Sequence, residues 1–157
     1  MIAVGMIAAP SEMHIAPWRE VLDGVPGIEF RIGRMPGAAD GCDAVIVPSY
    51  LALDRYGGHP SSDAQIVENR RVDGLPDLIV VTPAYGPVVG NVDSRALEES
   101  IYDIFISCLN AAEDFNRIGD GRSIERLLVH VVALGLEAVA ATVIAMAFRR
   151  AWCEFDH

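Results

Sequence analysis

The sequence predicts an α/β domain, a three-layer α/β/α sandwich around a mixed, largely parallel sheet. Three observations predict it. Short apolar runs, such as Ala44–Val47, are uninterrupted by polar residues, as expected of strands buried on both faces. They alternate with segments that open on helix-start residues and carry helical periodicity. Proline or glycine marks most of the boundaries between them. At 157 residues, 52% of them hydrophobic, the chain is expected to form one domain over 1–157 with a self-sufficient core.

The elements follow in order. Residues 2–8 read as an opening strand; no basic residue precedes the apolar stretch, which argues against a secretion signal. A short helix is expected over 17–22, because proline suits a first turn and Gly24 follows. Ile28, Phe30 and Ile32 alternate with Glu29 and Arg31, the period of a strand with one wet face. The Ala44–Val47 strand is stopped by Pro48, and a loop leading to Gly57-Gly58 is expected after it. Ser62 with Gln65 forms a capping box, which predicts a helix reaching about Glu68. Residues 78–82 form another fully apolar strand, stopped by Pro83.

The clearest helix begins at Asp93 or Ser94 and ends at Gly119. Leu97, Ile101, Ile104, Phe105, Cys108, Leu109 and Ala112 lie on one stripe, while Glu98, Glu99, Asp103 and Glu113 lie off it. Residues 127–148 are apolar except for His130 and Glu137, so a membrane span is the alternative there. Its aliphatic residues would contribute roughly −5 kcal/mol to insertion, against roughly +3 for a mid-span glutamate alone. Gly135 also separates a β-branched half from an alanine-rich half. A strand over 124–132, a turn and a helix over 138–152 are therefore expected, and no membrane partner.

Composition excludes several functions. The formal charge of −10 repels phosphate polymers, so no nucleic-acid partner is expected. All 12 basic residues are arginine, which rules out a P-loop lysine, a Schiff-base lysine and a lysine base. Cys42, Cys108 and Cys153 form no CxxC or zinc pattern, and their odd number fits a reducing cytoplasm. The chain carries no HExxH, no GxSxG and no GxGxxG after a strand. Gly119-Asp120-Gly121 lies between a helix and a strand, the wrong context for a dinucleotide fingerprint. His14, His59, His130 and His157 form no i, i+4 pair, so no metal site is expected. Among them His59, directly after the glycine pair, is placed for ligand contact.

A strand that ends at a loop and a glycine pair is where ligands sit in α/β proteins, since backbone N–H groups are free there and glycine permits close approach. Here that place is Asp43-Ala44-Val45-Ile46, then Val47-Pro48-Ser49-Tyr50, then Gly57-Gly58. Together with the element order, this pattern resembles the macro domain, a family that binds ADP-ribose. The likeness is greatest to the bacterial and phage branch, in which a proline follows the strand and a helix such as that from Asn110 to Asn116 precedes the last strand. The tail from Ala140 to Phe148 is similar to that branch's final helix, and the resemblance covers about residues 27–155.

The resemblance implies a small nucleotide-like ligand, no cofactor, and contacts from Arg34, Ser49, Tyr50, Gly57, Gly58, His59 and Gly135. At three of these places the chain departs from the family. Tyr50 stands where the family has an asparagine for the distal ribose, and Arg34 where it has an aspartate for the adenine. The second phosphate loop, from His130 to Gly135, keeps one glycine. A tyrosine lacks the compact amide that suits a ribose hydroxyl, and Val131 and Leu134 hinder the approach of a diphosphate. Only the glycine pair survives. The expected function is therefore a divergent macro-like domain with altered or lost ADP-ribose or nucleotide binding, without catalysis.

Two alternatives remain open. A structural or assembly protein could use the apolar last helix and Trp152 as a homo-oligomer seam. An ADP-ribose or nucleotide hydrolase needs a base or a group that positions water, and Asp54, His59 and Tyr50 are the candidates in the right loop. For Tyr50 itself there are also two expectations: a plug that closes the cleft, or a stacking surface inside it.

Overall fold

The computed structural model describes residues 1–84, 93–119 and 121–155. His157 and Asp120, both considered above, lie outside the described residues. The strands are β1 (Val4–Ala9), β2 (Ile28–Ile32), β3 (Ala44–Val47), β4 (Gln65–Glu68), β5 (Leu78–Val81) and β6 (Arg126–His130). The helices are α1 (Glu12–Val21), α2 (Ser49–Arg55), α3 (Ser94–Ile118) and α4 (Ala141–Glu154). The strands form one sheet in the order β2-β1-β6-β3-β5-β4. Every neighbouring pair is parallel except β4 with β5, so the sheet is mixed and largely parallel. The expected strands at 28–32, 44–47, 78–82 and 124–132 all belong to it.

Alternation along each strand builds the layers. Ile7, Ala44, Ile46, Val80, Leu127 and Val129 point to one core, shared with buried residues of α1, α3 and α4. Their neighbours Met6, Ala8, Val45, Ile79, Val81 and Leu128 point to the other, a thinner layer with Ala38, Ala39 and Ala52 of α2. The result is α/β/α, with a thick face and a thin one.

Local chemistry explains most boundaries. Asp93 caps α3 by accepting from the Arg95 amide at 3.4 Å, Gly119 ends it, and the stripe from Ile101 to Ala112 is buried. Cys108 is fully buried on that stripe, and burial pushes its thiol up to about 12, so it behaves as a small apolar residue. Trp152 of α4 drops into a notch over Gly5 and Gly27, where an added Cβ would lie 3.2 and 3.1 Å from its ring. Its indole N–H donates to the Pro26 carbonyl at 2.9 Å. The residue that suggested an oligomer seam is thus spent inside the chain.

Three expectations about elements need correction. The first helix begins at Glu12, not Pro17, because Ser11 caps it, accepting from the His14 amide at 3.4 Å. Pro17 lies inside that helix, one turn beyond the tolerated first positions.

The segment after Pro48 is not a loop: it continues directly into α2, with the Leu51 and Ala52 amides both donating to the Pro48 carbonyl at 3.0 Å. Ser-Tyr-Leu-Ala-Leu-Asp-Arg contains no helix breaker, and Ala52 gives it a contact with the thin core.

The helix expected up to Glu68 is strand β4, paired from Gln65↔Val81 to Glu68↔Leu78. Ile66 and Val67 are adjacent β-branched residues, and pairing lets each pack on a different core. A helix from the Ser62 cap to Glu68 could not place these two neighbours on opposite faces of the sheet.

Residues 127–148 are divided as expected. Strand β6 ends at His130, Gly135 adopts φ +71, and α4 begins at Ala141. Among the described residues no helix is long and apolar enough to cross a membrane.

Candidate functional site

Because β1, β2, β3, β5 and β6 run parallel, their C-terminal ends share one edge of the sheet. Four segments meet there: Gly33-Arg34 after β2, Pro48-Ser49-Tyr50 after β3, Thr82 after β5 and the 131–140 segment after β6. This is the place where open α/β sheets hold ligands.

The chain itself fills much of that place. The Ser49 amide donates to the buried Thr82 hydroxyl at 3.0 Å, so it is not free for a ligand. The ring of Tyr50 lies across Gly135: a Cβ there would sit 2.7 Å from Tyr50 Cε1 and 3.2 Å from its hydroxyl oxygen. Only glycine leaves room for this contact. Tyr50 remains 60% exposed, so the ring covers the Gly135 turn as a lid on the surface and does not plug an interior cavity.

The glycine pair is also engaged. Gly57 and Gly58 take φ values of +93 and +99, which glycine adopts without strain. A Cβ on Gly58 would fall 2.7 Å from Gln65 Oε1. The Gln65 side chain reaches back from β4, accepting from the His59 amide at 3.2 Å and donating to the His59 carbonyl at 2.5 Å. The turn is therefore closed by an amide side chain of the chain's own edge strand. The spacing from Ser62 predicts a capping role for Gln65; its partner is instead His59, because residues 65–68 form strand β4.

Of the expected site residues, Tyr50 and Gly135 are brought into contact, with Ser49 beside them on α2. Gly57, Gly58 and His59 instead gather around Gln65. Arg34 is exposed, and its carbonyl accepts from the Ala38 amide at 2.9 Å. Asp54 and His59, the candidates for a hydrolytic base, are both exposed. Among the described residues no cluster of histidine, cysteine and carboxylate groups could hold a metal ion.

A groove of about 390 Å³ does open at this edge, between α1, the 131–139 segment and the start of α4. Its walls include Trp18, Val131, Leu136, Val139 and Ile144, with His14 and Glu137 as its ionisable groups. None of the expected site residues lines it. The signal for it is dispersed across α1, which begins five residues before the expected helix, and the turn after β6.

His130 is the residue whose role the sequence did not reveal. It is 4% exposed and lies at the end of β6, on the same side of the sheet as Leu128. Its Nε2 lies 3.2 Å from the Gly33 carbonyl oxygen, which only accepts, so Nε2 carries the proton. Nδ1 is buried with no partner among the described residues. Burial pushes the imidazole below its ordinary range, the bond to Gly33 opposing.

The folded state therefore binds this proton less readily than the unfolded chain. Below about pH 6.5 the unfolded chain takes up the proton first, and stability falls until the folded imidazole titrates as well. In urea titrations, the stability advantage of the parent over His130→Gln is expected to shrink as pH drops through that range. An advantage independent of pH would show that His130 is solvated in the folded state.

The fold and the edge together define an α/β/α domain in which the C-terminal edge of the parallel strands is partly covered by the chain's own side chains. No protein-family model matches the chain, and no curated protein resembles it in sequence closely enough to count as a match.

Proposed function

We propose that the chain is a divergent macro-like domain in which binding of ADP-ribose, or of a related nucleotide, is altered or lost, and that it is not a catalyst. The observation that carries this reading is the packing of the Tyr50 ring across Gly135. In the resemblance, these two positions belong to the ribose contact and the second phosphate loop. A side chain lying over that turn competes with a diphosphate for the same backbone. Closure of the glycine pair by Gln65 supports the reading in the same way, since the His59 amide already has an acceptor.

Calorimetry with ADP-ribose tests it. The parent protein is expected to bind in the high micromolar range at best, roughly −5 to −6 kcal/mol. Tyr50→Ala should open the space above Gly135. Full burial of such a side chain is worth about 1.5–3 kcal/mol, and an exposed lid should cost less than that when removed. A submicromolar constant for the parent, or unchanged weak binding with a large stability loss in Tyr50→Ala, would overturn the proposed role of the tyrosine.

A further inference from the structure

The far edge of the sheet carries a second set of features, independent of the ligand edge. Among the described residues, strand β4 is the last strand in the sheet order and pairs only with β5. The Asn69 amide extends that ladder by donating to the Asp77 carbonyl at 2.8 Å. In an antiparallel ladder alternate residues face the partner strand, so Gln65 and Val67 turn inward with Asn69. The N–H and C=O groups of Ile66 and Glu68 then face outward, the arrangement that accepts another strand.

Charge distinguishes this edge from the rest of the molecule. On a chain of net charge −10, Arg55, Arg70 and Arg71 line a concavity of about 480 Å³ beside β4, with Tyr56, Val67 and Glu68. Among the described residues Glu68 is its only carboxylate, and it is shared between Arg70 at 3.2 Å and Arg122 at 2.8 Å. The next carboxylate, Asp73, is occupied by the Tyr56 hydroxyl at 2.9 Å, the Asn69 side-chain amide at 3.0 Å and the Leu75 backbone amide at 3.0 Å. Among the described residues, Arg71 reaches a backbone carbonyl, that of Arg55, at 3.5 Å, and no carboxylate. Val72, next to it, is fully exposed.

Charged residues on an edge strand commonly protect it from pairing with other chains. Arginines on the same edge of two copies repel one another, which guards against self-pairing and leaves the edge open to a chain of opposite charge. In the lining of the concavity three arginines stand against one glutamate, a positive local charge on a chain of net charge −10, and this attracts acidic chains. We infer that β4 is a docking edge for an extended acidic segment of a partner protein, which adds as a strand along Ile66 and Glu68 and sets its carboxylates against Arg55, Arg70 and Arg71. Main-chain bonds would give such a complex its register, and the arginines its selectivity for acidic sequences.

The test uses a labelled peptide that alternates glutamate with valine or threonine, and fluorescence anisotropy with the full chain. A peptide with lysine in place of glutamate reports on charge. One N-methylated on alternate amides reports on strand pairing. The acidic peptide is expected to bind, with affinity falling as salt rises. The lysine peptide, the N-methylated peptide and the Arg55→Glu/Arg71→Glu variant should each bind about tenfold more weakly or worse. Both arginines are exposed, and circular dichroism confirms that the variant is folded.

Equal binding of the N-methylated peptide would reduce the edge to an unstructured basic patch and overturn strand addition. Equal binding of the lysine peptide would overturn the acidic partner. A dimer in light scattering that the acidic peptide does not dissociate would assign the edge to a second copy of the chain instead.

Discussion

Phe148→Ala is expected to lower the unfolding free energy by about 3–5 kcal/mol, the range for removing a large aromatic side chain from a packed core. Phe148 is 1% exposed and stands at the centre of an aromatic group. Its ring meets Phe105 edge-on at 5.2 Å, stacks with Trp152 at 5.9 Å and tilts against Trp18 at 5.9 Å. These rings come from α1, α3 and α4, so one truncation loosens the whole thick layer. Phe148→Leu, which keeps most of the volume, should recover a large part of the loss. Chemical denaturation of both variants checks this, and a loss below about 1 kcal/mol in the alanine variant would mean that the layer repacks freely.

Asp43→Ala is expected to cost about 2–3 kcal/mol, although Asp43 is not a core residue. One carboxylate oxygen accepts from both the Glu125 amide at 2.9 Å and the Arg126 amide at 2.8 Å. The Asp43 amide in turn donates to the Arg126 carbonyl at 2.9 Å. The aspartate thereby aligns the start of β3 with the start of β6, across more than eighty residues of sequence. Removing the side chain leaves two donors at a strand entry without their acceptor. Asp43→Asn keeps an acceptor oxygen and should lose less. If the two variants are equally stable, the carboxylate bonds contribute little, and the backbone bond alone sets the register.

The macro-like resemblance places Asp43 at the head of the segment expected to bear a ligand. The structure gives it a structural task. The same distinction applies to the glycines. Gly135 is required by Tyr50, a neighbour in space, and Gly58 by the Gln65 amide. A glycine in a sequence marks a close approach, but it does not say whether a ligand or the chain itself approaches.

The fold class, the four strands carried by fully apolar or alternating runs, and the long helix between Asp93 and Gly119 are legible in the chain. Each of these is local: periodicity, caps and breakers act within a turn or two, so the residues that decide them lie next to one another in the chain. The sequence also located the sheet edge at which Ser49, Tyr50 and Gly135 meet. Tertiary structure decided the rest. Residues 65–68 had a helix cap in sequence, yet became a strand because β5 offered an unpaired edge and two cores for Ile66 and Val67. The segment after Pro48 became helical because Ala52 could bury itself against a core built from distant strands. The covering of Gly135 by Tyr50, the burial of His130 and the gathering of arginines beside β4 are contacts between distant parts of the chain. Such contacts are set by which strands pair, and pairing is a cooperative choice that no single segment carries.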